Sequence, residues 1–450
     1  MTDSELSAAF LDELQREAFA YFVHEANPEN GLIADKTSPG GPASIAAVGF
    51  ALSSYPVAVE RGFMTRSDAT KRVVATLRFF DASEQGVAAD ATGHKGFYYH
   101  FLDMVTGKRA WNCELSTIDT AILLAGMLTA ATYFGRGSGE ECEIRDLADK
   151  LYRRVDWNWA RHGGLTVTHG WKPKTRFLRY RWQGYDEALI LYLLGLGSPS
   201  HPLPAESYLG WTDTFQWRSI YGQEFLYAGP LFIHQFSHIW IDFRGIADPY
   251  MRAKQSDYFD NSRRATEAQR RYAIANPQHF VGYGPDCWGI TASDGPGPAS
   301  FTKKGIKRRF FAYRSRGAPD GPDDGSLAPW TVVASLPFAP DIVGPTLQNF
   351  ETMKLRENSE YGFTATFNAT FMERSGAGTR WTSPFHFGIN QGPIVLMIEN
   401  FRTGFVWELM RGCPYIVEGL RKAGFSGGWL AEFGAARGDV RPLNPASEII

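Results

Sequence analysis

Apolar residues recur at helical spacing from the start of the chain. Between Ser4 and Glu25 the positions Leu6, Phe10, Leu11, Leu14, Ala18 and Phe22 mark one face of a helix, with Ser4 placed to cap it. Asn27 to Pro42 is then a loop rich in Gly, Pro and Asn that carries Asp35 and Lys36. A nearly all-apolar helix follows from Ala43 to Val59, and an amphipathic one from Arg66 to Phe80. The same alternation predicts helices over Cys142–Val155, Gly184–Gly197, Pro230–Ile241, Asp248–Asn276, Ala328–Phe338, Ile342–Leu355, Gly392–Met410 and Pro414–Ala423, the last followed by a Gly-rich tail. Gly93–Asp103 fits either a short strand pair or an aromatic loop lining a cleft. Pro298–Asp324 fits either strands or an irregular flap. About a dozen helices, few strands and no fixed-period repeat suit a double ring of antiparallel helices, apolar inside and amphipathic outside. The expected fold is an all-α (α/α)6 toroid over residues 1–450, with no linker-like stretch at which to divide it.

In such a ring the loops at one end build the cleft, so polar segments that open apolar helices are the places to look for chemistry. Two stand out. Arg179–Gly184 runs through Tyr185, Asp186 and Glu187 into an apolar helix that stops at Gly197–Ser198–Pro199, and Trp111–Thr120 carries Glu114 and Asp119 into the apolar run from Ala121. Asp186 and Glu187 fall in the first turn, where an acid either caps the helix or does acid–base work. A third segment, Val281–Pro296, is a turn-rich loop with Asp286, Trp288 and Asp294. Hydrolysis of a glycosidic bond needs one protonated carboxyl and one carboxylate. Glu114, Asp119, Asp186, Glu187, Asp286 and Asp294, all with aromatic neighbours, are six candidates for those two roles. His234 and His238 stand at i,i+4 spacing; without the signature glutamate they read as cleft histidines bonding sugar hydroxyls or structural groups, with a metal the lesser reading.

Composition narrows the choice. Of 450 residues 44% are hydrophobic and 14% aromatic, and aromatic faces both fill cores and stack on sugar rings. A net charge of -2 makes no case for nucleic acid or an anionic membrane, and the basic run Phe301–Arg309 reads as a solvated loop. Four scattered cysteines suggest neither a zinc ribbon nor a disulfide framework. No signal peptide is read at the N-terminus and no apolar stretch is read as membrane-spanning, so the expectation is a cytoplasmic protein, or a periplasmic one if a leader has been removed. G-x-S-x-G, P-loop and G-x-G-x-x-G motifs are absent, which removes the usual supports for acyl, phosphoryl and hydride transfer. The sequence is silent on oligomeric state.

Six ordered segments carry a resemblance: GLIADKTSPGGPASIAAVGFAL, CELSTIDTAILLAG, WQGYDEALILYLLGLGSPSHPL, PLFIHQFSHIWIDFRG, YGPDCWGITASDGP and GINQGPIVLMIENFRTGFVW. Together they resemble the bacterial glucoamylase-like proteins that include glycoside hydrolase family 144, the endo-β-1,2-glucanases, over nearly the whole chain. The resemblance implies an (α/α)6 toroid that hydrolyses β-1,2-glucan or its oligosaccharides with inversion and without cofactor or essential metal; the alternatives are a retaining hydrolase or transglycosylase acting on another glucan linkage, or a non-catalytic glycan-binding protein on the same scaffold. It implies Glu187 as general acid and Glu114 and Asp119 as cleft residues. One departure stands out: Asn390 occupies the position where the family pattern suggests Asp, and an amide cannot act as a base. The base is then expected at Asp286 or Asp119. Trp182, Tyr185 and Trp288 are expected as stacking platforms, with His234, Asp294 and Gln391 completing the sugar contacts.

Overall fold

The structure is a computed structural model that describes residues 7–135, 139–303, 305–371 and 380–436. Helices alternate between an outer and an inner position. Ala8–His24, Arg66–Ala82, Glu140–Arg154, Ala205–Thr212, Tyr258–Ala275 and Pro340–Thr352 lie outside. Ile45–Glu60, Thr117–Phe134, Leu189–Gly197, the paired 3₁₀ turns Leu231–His234 and Phe236–Ile239, Pro329–Val333 and Gly388–Arg402 lie inside, and each packs on the next until the ring closes. Phe405–Arg411, Pro414–Lys422 and Gly428–Ala436 follow, so a helix stands within the stretch where a Gly-rich tail was expected. Ser7 caps the first helix; Ser4 lies outside the described residues.

Inner helices are apolar all round because both their sides meet protein. The Thr117 helix is the extreme case. Its 18 residues have a mean hydropathy of 1.4, enough by length and composition to cross a membrane, contrary to the reading above. Here it is buried, wedged between the Ile45, Glu140 and Leu189 helices. Two glycines set its closest crossing: a Cβ on Gly126 would stand 2.1 Å from the Gly49 carbonyl oxygen, and one on Gly49 would stand 2.4 Å from that of Ile122. The backbones touch, so no side chain fits between them.

Small antiparallel sheets anchor the helix openings. Ala43–Ser44 pairs with Phe101–Leu102, and a five-stranded sheet runs Gly93–His94, Phe97–Tyr99, Leu115–Ser116, Gly170–Lys172, Arg176–Phe177. Gly93–Asp103 is thus strand structure whose loop side faces a cleft. Ala299–Lys303 and Ile306–Phe310 form a hairpin in the stretch left open above, so the basic run is part of a sheet.

Some predicted helices are broken. Pro230–Ile241 is two 3₁₀ turns because Gln235, at φ -121°, gives its amide to the next inner helix: Nε2 donates to the Thr331 carbonyl at 2.7 Å and Oε1 accepts from Thr331 Oγ1 at 2.8 Å. Asp248–Asn276 divides into Pro249–Ala253 and Tyr258–Ala275, each with its own aspartate cap, Asp248 and Asp257. Gly392–Met410 is the end of one helix and the whole of another, parted at Gly404 in the left-handed region.

Candidate active site

All six inner helices present their N-terminal ends to one cavity of about 570 Å³. Its lining includes Ser44, Asp119, Glu187, Phe232, Trp330 and Asn390, one residue at or beside the opening of each inner element. Helix N-termini carry partial positive charge, so this end suits carboxylates. Five line the cavity, Asp35, Glu114, Asp119, Glu187 and Asp294, against two cationic side chains, Lys36 and His100.

His100 organises the acids. Its Nδ1 is 2.9 Å from Glu114 Oε1 and its Nε2 is 3.6 Å from Asp119 Oδ2. Burial alone would lower the imidazole, but Asp119, Glu114 and Asp35 outweigh it and raise His100 to about 9. The hydrogen bond from that imidazolium pulls Glu114 down to about 2, despite its burial. Asp119 accepts the Ser116 hydroxyl at 2.5 Å, while Ser116 Oγ in turn accepts the Asp119 N–H at 3.2 Å and caps the helix. Asp35 is raised by burial and by Asp119, with His100 and Lys36 opposing.

Glu187 behaves differently. No hydrogen bond to it is found among the described residues, and burial, then the charges of Asp119 and Asp186, push its carboxyl up to about 8. The protonated form is thereby favoured towards neutrality, and the residue lines the cavity. Neighbouring Asp186 turns the other way. Its Oδ1 accepts from the Ala188 N–H at 3.0 Å and from Trp211 Nε1 at 2.9 Å, which fastens the turn ahead of the helix Leu189–Gly197. The two acids therefore precede the helix, whose cap is Ala188 without a side-chain bond, and they face opposite ways.

Trp182 lines the cavity as expected. Its indole Nε1 donates to Thr117 Oγ1 at 2.9 Å and its ring stacks on His169 at 3.7 Å. Asp294 accepts the Ser383 hydroxyl at 2.9 Å. Six other expected site residues stand elsewhere. Asp286 is outside the lining, its carbonyl receiving the Asn349 side chain at 2.8 Å. Trp288 is wholly buried in the core. Tyr185 and His234 pack on each other behind the site at 5.1 Å, and burial lowers His234 to about 4 while its Nε2 lies 3.2 Å from the Ala228 carbonyl. His238, lowered by burial to about 3, meets Ser262 Oγ at 3.0 Å. The histidine pair thus serves packing, and no group of three or more His, Cys, Asp or Glu able to hold a metal occurs among the described residues. Gln391 is buried outside the lining, its Nε2 3.5 Å from His386 Nδ1, while its neighbour Asn390 lines the cavity.

Asp35, Lys36, His100, Phe101, His169 and Tyr313 line the cavity without having been singled out. The signal for His100 was present in the aromatic segment Gly93–Asp103. That for Asp35 was a charged pair inside a Gly/Pro loop, which loops carry for many reasons.

Comparison with known proteins agrees with this geometry. The model of the Glycoamylase family, described as "Putative glucoamylase", matches residues 179–414, just over half of the chain. An exo-β-1,2-glucooligosaccharide sophorohydrolase (non-reducing end) of Parabacteroides distasonis is 29% identical over 94% of this chain; the chain spans 58% of that relative's length. The endo-β-1,2-glucanase of Chitinophaga pinensis, solved with sophorotriose and glucose, superposes with a TM-score of 0.81 at 27% identity, covering 94% of this chain and 99% of that one. A β-1,2-glucanase of Parabacteroides distasonis gives 0.79 at 27% identity, covering 92% of this chain and 59% of that one. With a closed double ring, a carboxylate-lined cavity at its helix openings and a family match over more than half its length, the chain belongs to the glucoamylase-like (α/α)6 proteins of the Glycoamylase family.

Proposed function

We propose that this chain is a glycoside hydrolase that cleaves β-1,2-glucan or β-1,2-gluco-oligosaccharides with inversion, Glu187 acting as general acid. The observation that carries the reading is the place of Glu187, whose carboxyl lines the cavity and accepts no hydrogen bond among the described residues, while burial and neighbouring acids raise its proton affinity. Protonation of the leaving oxygen requires such a group. The sophorohydrolase and the endo-β-1,2-glucanase, both similar over 94% of the chain, support the linkage.

The base is assigned to Asp119 rather than Asp286, which stands off the cavity. Asp119 accepts a hydroxyl and faces an imidazolium, surroundings that suit an anion. The glycosidic oxygen takes the Glu187 proton as its bond to the anomeric carbon breaks. Positive charge grows on the sugar ring beside the carboxylates, and water attacks the opposite face, losing its proton to Asp119 directly or through a sugar hydroxyl. Trp182 supplies a stacking face, and Glu114 and Asp294 bind hydroxyls.

Incubation with linear β-1,2-glucan, beside β-1,3- and α-1,4-glucans, tests the proposal. New reducing ends of α configuration by NMR, from the β-1,2 polymer alone, are expected. A β anomer would make the enzyme retaining, and turnover of another glucan alone would remove the linkage.

A further inference from the structure

Trp111 is a bulky residue held where the backbone disfavours it, as Tyr221 is at φ 50°. Ala110 to Cys113 forms a tight turn, closed by the Cys113 N–H donating to the Ala110 carbonyl at 3.1 Å, and its central residues Trp111 and Asn112 have φ of 54° and 52°. Two left-handed central residues define a type I′ turn, for which Asn, Asp and Gly are the suited residues. Asn112 conforms. A tryptophan at the first position is strained, and such strain persists where the side chain serves another purpose.

The indole is not serving the core, since Trp111 is 64% exposed. Its ring instead lies 5.2 Å from that of Phe101, which lines the cavity and stacks at 4.0 Å on His100, the hub of the acidic cluster. The turn is tied to the same strand, for the Ala110 N–H donates to the Phe101 carbonyl at 2.9 Å, and Glu114 of the cavity follows one residue after it. His100, Phe101 and Trp111 thus make a continuous aromatic track from the acids to the outer surface. Tyr180, exposed on the neighbouring loop, shows the contrast: the Arg179 guanidinium sits 4.7 Å over its ring, whereas no cation covers Trp111 among the described residues.

We propose that Trp111 is a stacking platform for a glucose unit outside the cavity, so that the site favours chains longer than the cavity alone accommodates. Aromatic faces bind the apolar faces of pyranose rings, and an exposed indole packed on Phe101, itself a cavity-lining residue, offers such a surface just outside the cavity. The inference rests on the proposed reading of the cavity as a glucan site.

Michaelis constants for a long β-1,2-glucan and for sophorotriose, measured with the parent protein and with Trp111→Ala, test it. The substitution is expected to raise KM for the long chain about five- to tenfold more than for the trisaccharide, with the ratio of kcat values unmoved. Trp111→Phe should recover most of the difference. Trp111→Gly, which suits the left-handed turn, should melt no lower than the parent yet keep the full binding defect, an outcome that a purely structural tryptophan would not give. A KM change equal for both substrates, or a difference under about twofold, overturns the proposal. If the parent hydrolyses neither sugar, the hydrolase reading fails, and calorimetric titration with the same two ligands still decides the platform: no tighter binding of the long chain, or no loss of it in Trp111→Ala, overturns it.

Discussion

Two clusters of charge adjoin at the mouth of the ring, and they are built oppositely. Arg316 and Asp324 are both fully buried and fully used: Arg316 Nε donates to Asp324 Oδ1 at 2.7 Å and Nη2 to Oδ2 at 2.9 Å, while Nη1 reaches the carbonyls of Ser293 and Asp294. Asp324 also accepts the N–H groups of Phe311 and Ser326. This clamp joins the segments that bring Asp294, Tyr313 and Ser315 to the cavity. The cavity carboxylates, by contrast, share one histidine among Glu114 and Asp119, and Glu187 has no hydrogen-bond partner among the described residues. A satisfied buried charge holds structure, whereas an unsatisfied one facing a cavity stores the altered proton affinity that catalysis uses. Asp186 and Glu187 repeat the contrast at adjacent positions.

The largest expected effect is on the unsatisfied side. Glu187→Gln removes the proposed proton donor and should lower kcat on β-1,2-glucan by about 10²- to 10⁴-fold with the circular dichroism spectrum unchanged; near-parental turnover would move the acid elsewhere. On the satisfied side, Arg316→Ala leaves a buried carboxylate without its counter-charge and should cost about 3–5 kcal/mol in urea unfolding. A loss below about 1 kcal/mol would mean that water replaces the guanidinium and that the clamp is not what orders the flap.

Acidity gives an intermediate test. Because Glu187 is raised to about 8, the protonated form persists through neutrality, and kcat should fall as pH rises past about 8. The same shift affects stability. A carboxyl whose folded pKa lies above its unfolded value contributes stability that is complete below the ordinary carboxyl range and is lost as pH rises through about 8. The melting temperature of Glu187→Gln should therefore fall less than the parent's between pH 5 and 9, and parallel curves would argue against a buried protonated Glu187. The smallest effect belongs to Asp186→Asn. Burial pushes Asp186 up to about 7, and an amide oxygen keeps the bonds from Ala188 and Trp211, so activity should stay within a few-fold and stability within about 1 kcal/mol. A loss as large as that of Glu187→Gln would erase the distinction between the neighbours.

Much of the ring was legible along the chain, and the reason is local. Apolar runs bounded by Gly, Pro and capping Ser or Asp mark inner helices wherever both sides are buried, and amphipathic ones mark the outer layer. The polar openings before Thr117 and Leu189 pointed to Glu114, Asp119, Trp182 and Glu187, all of which line the cavity. Composition did not separate Asp286, Trp288, Tyr185, His234 and Gln391 from them, since all have acidic or aromatic neighbours and lie in or near similar segments. Which side of an opening faces the ring's mouth depends on how the loop is anchored: Asp186 is turned away by Trp211 and Ala188, and Gln391 lies one helical step from Asn390.

By itself, then, the order of apolar and polar residues determined an all-α ring with acidic helix openings, because periodicity and capping act over a few residues. The tertiary structure alone decided which acids meet. Asp35, His100, Asp119 and Glu187 come from four separate segments, and the raised proton affinity of Glu187 comes first from its burial and then from the charges of Asp119, brought in from another segment, and of adjacent Asp186, with His100 opposing.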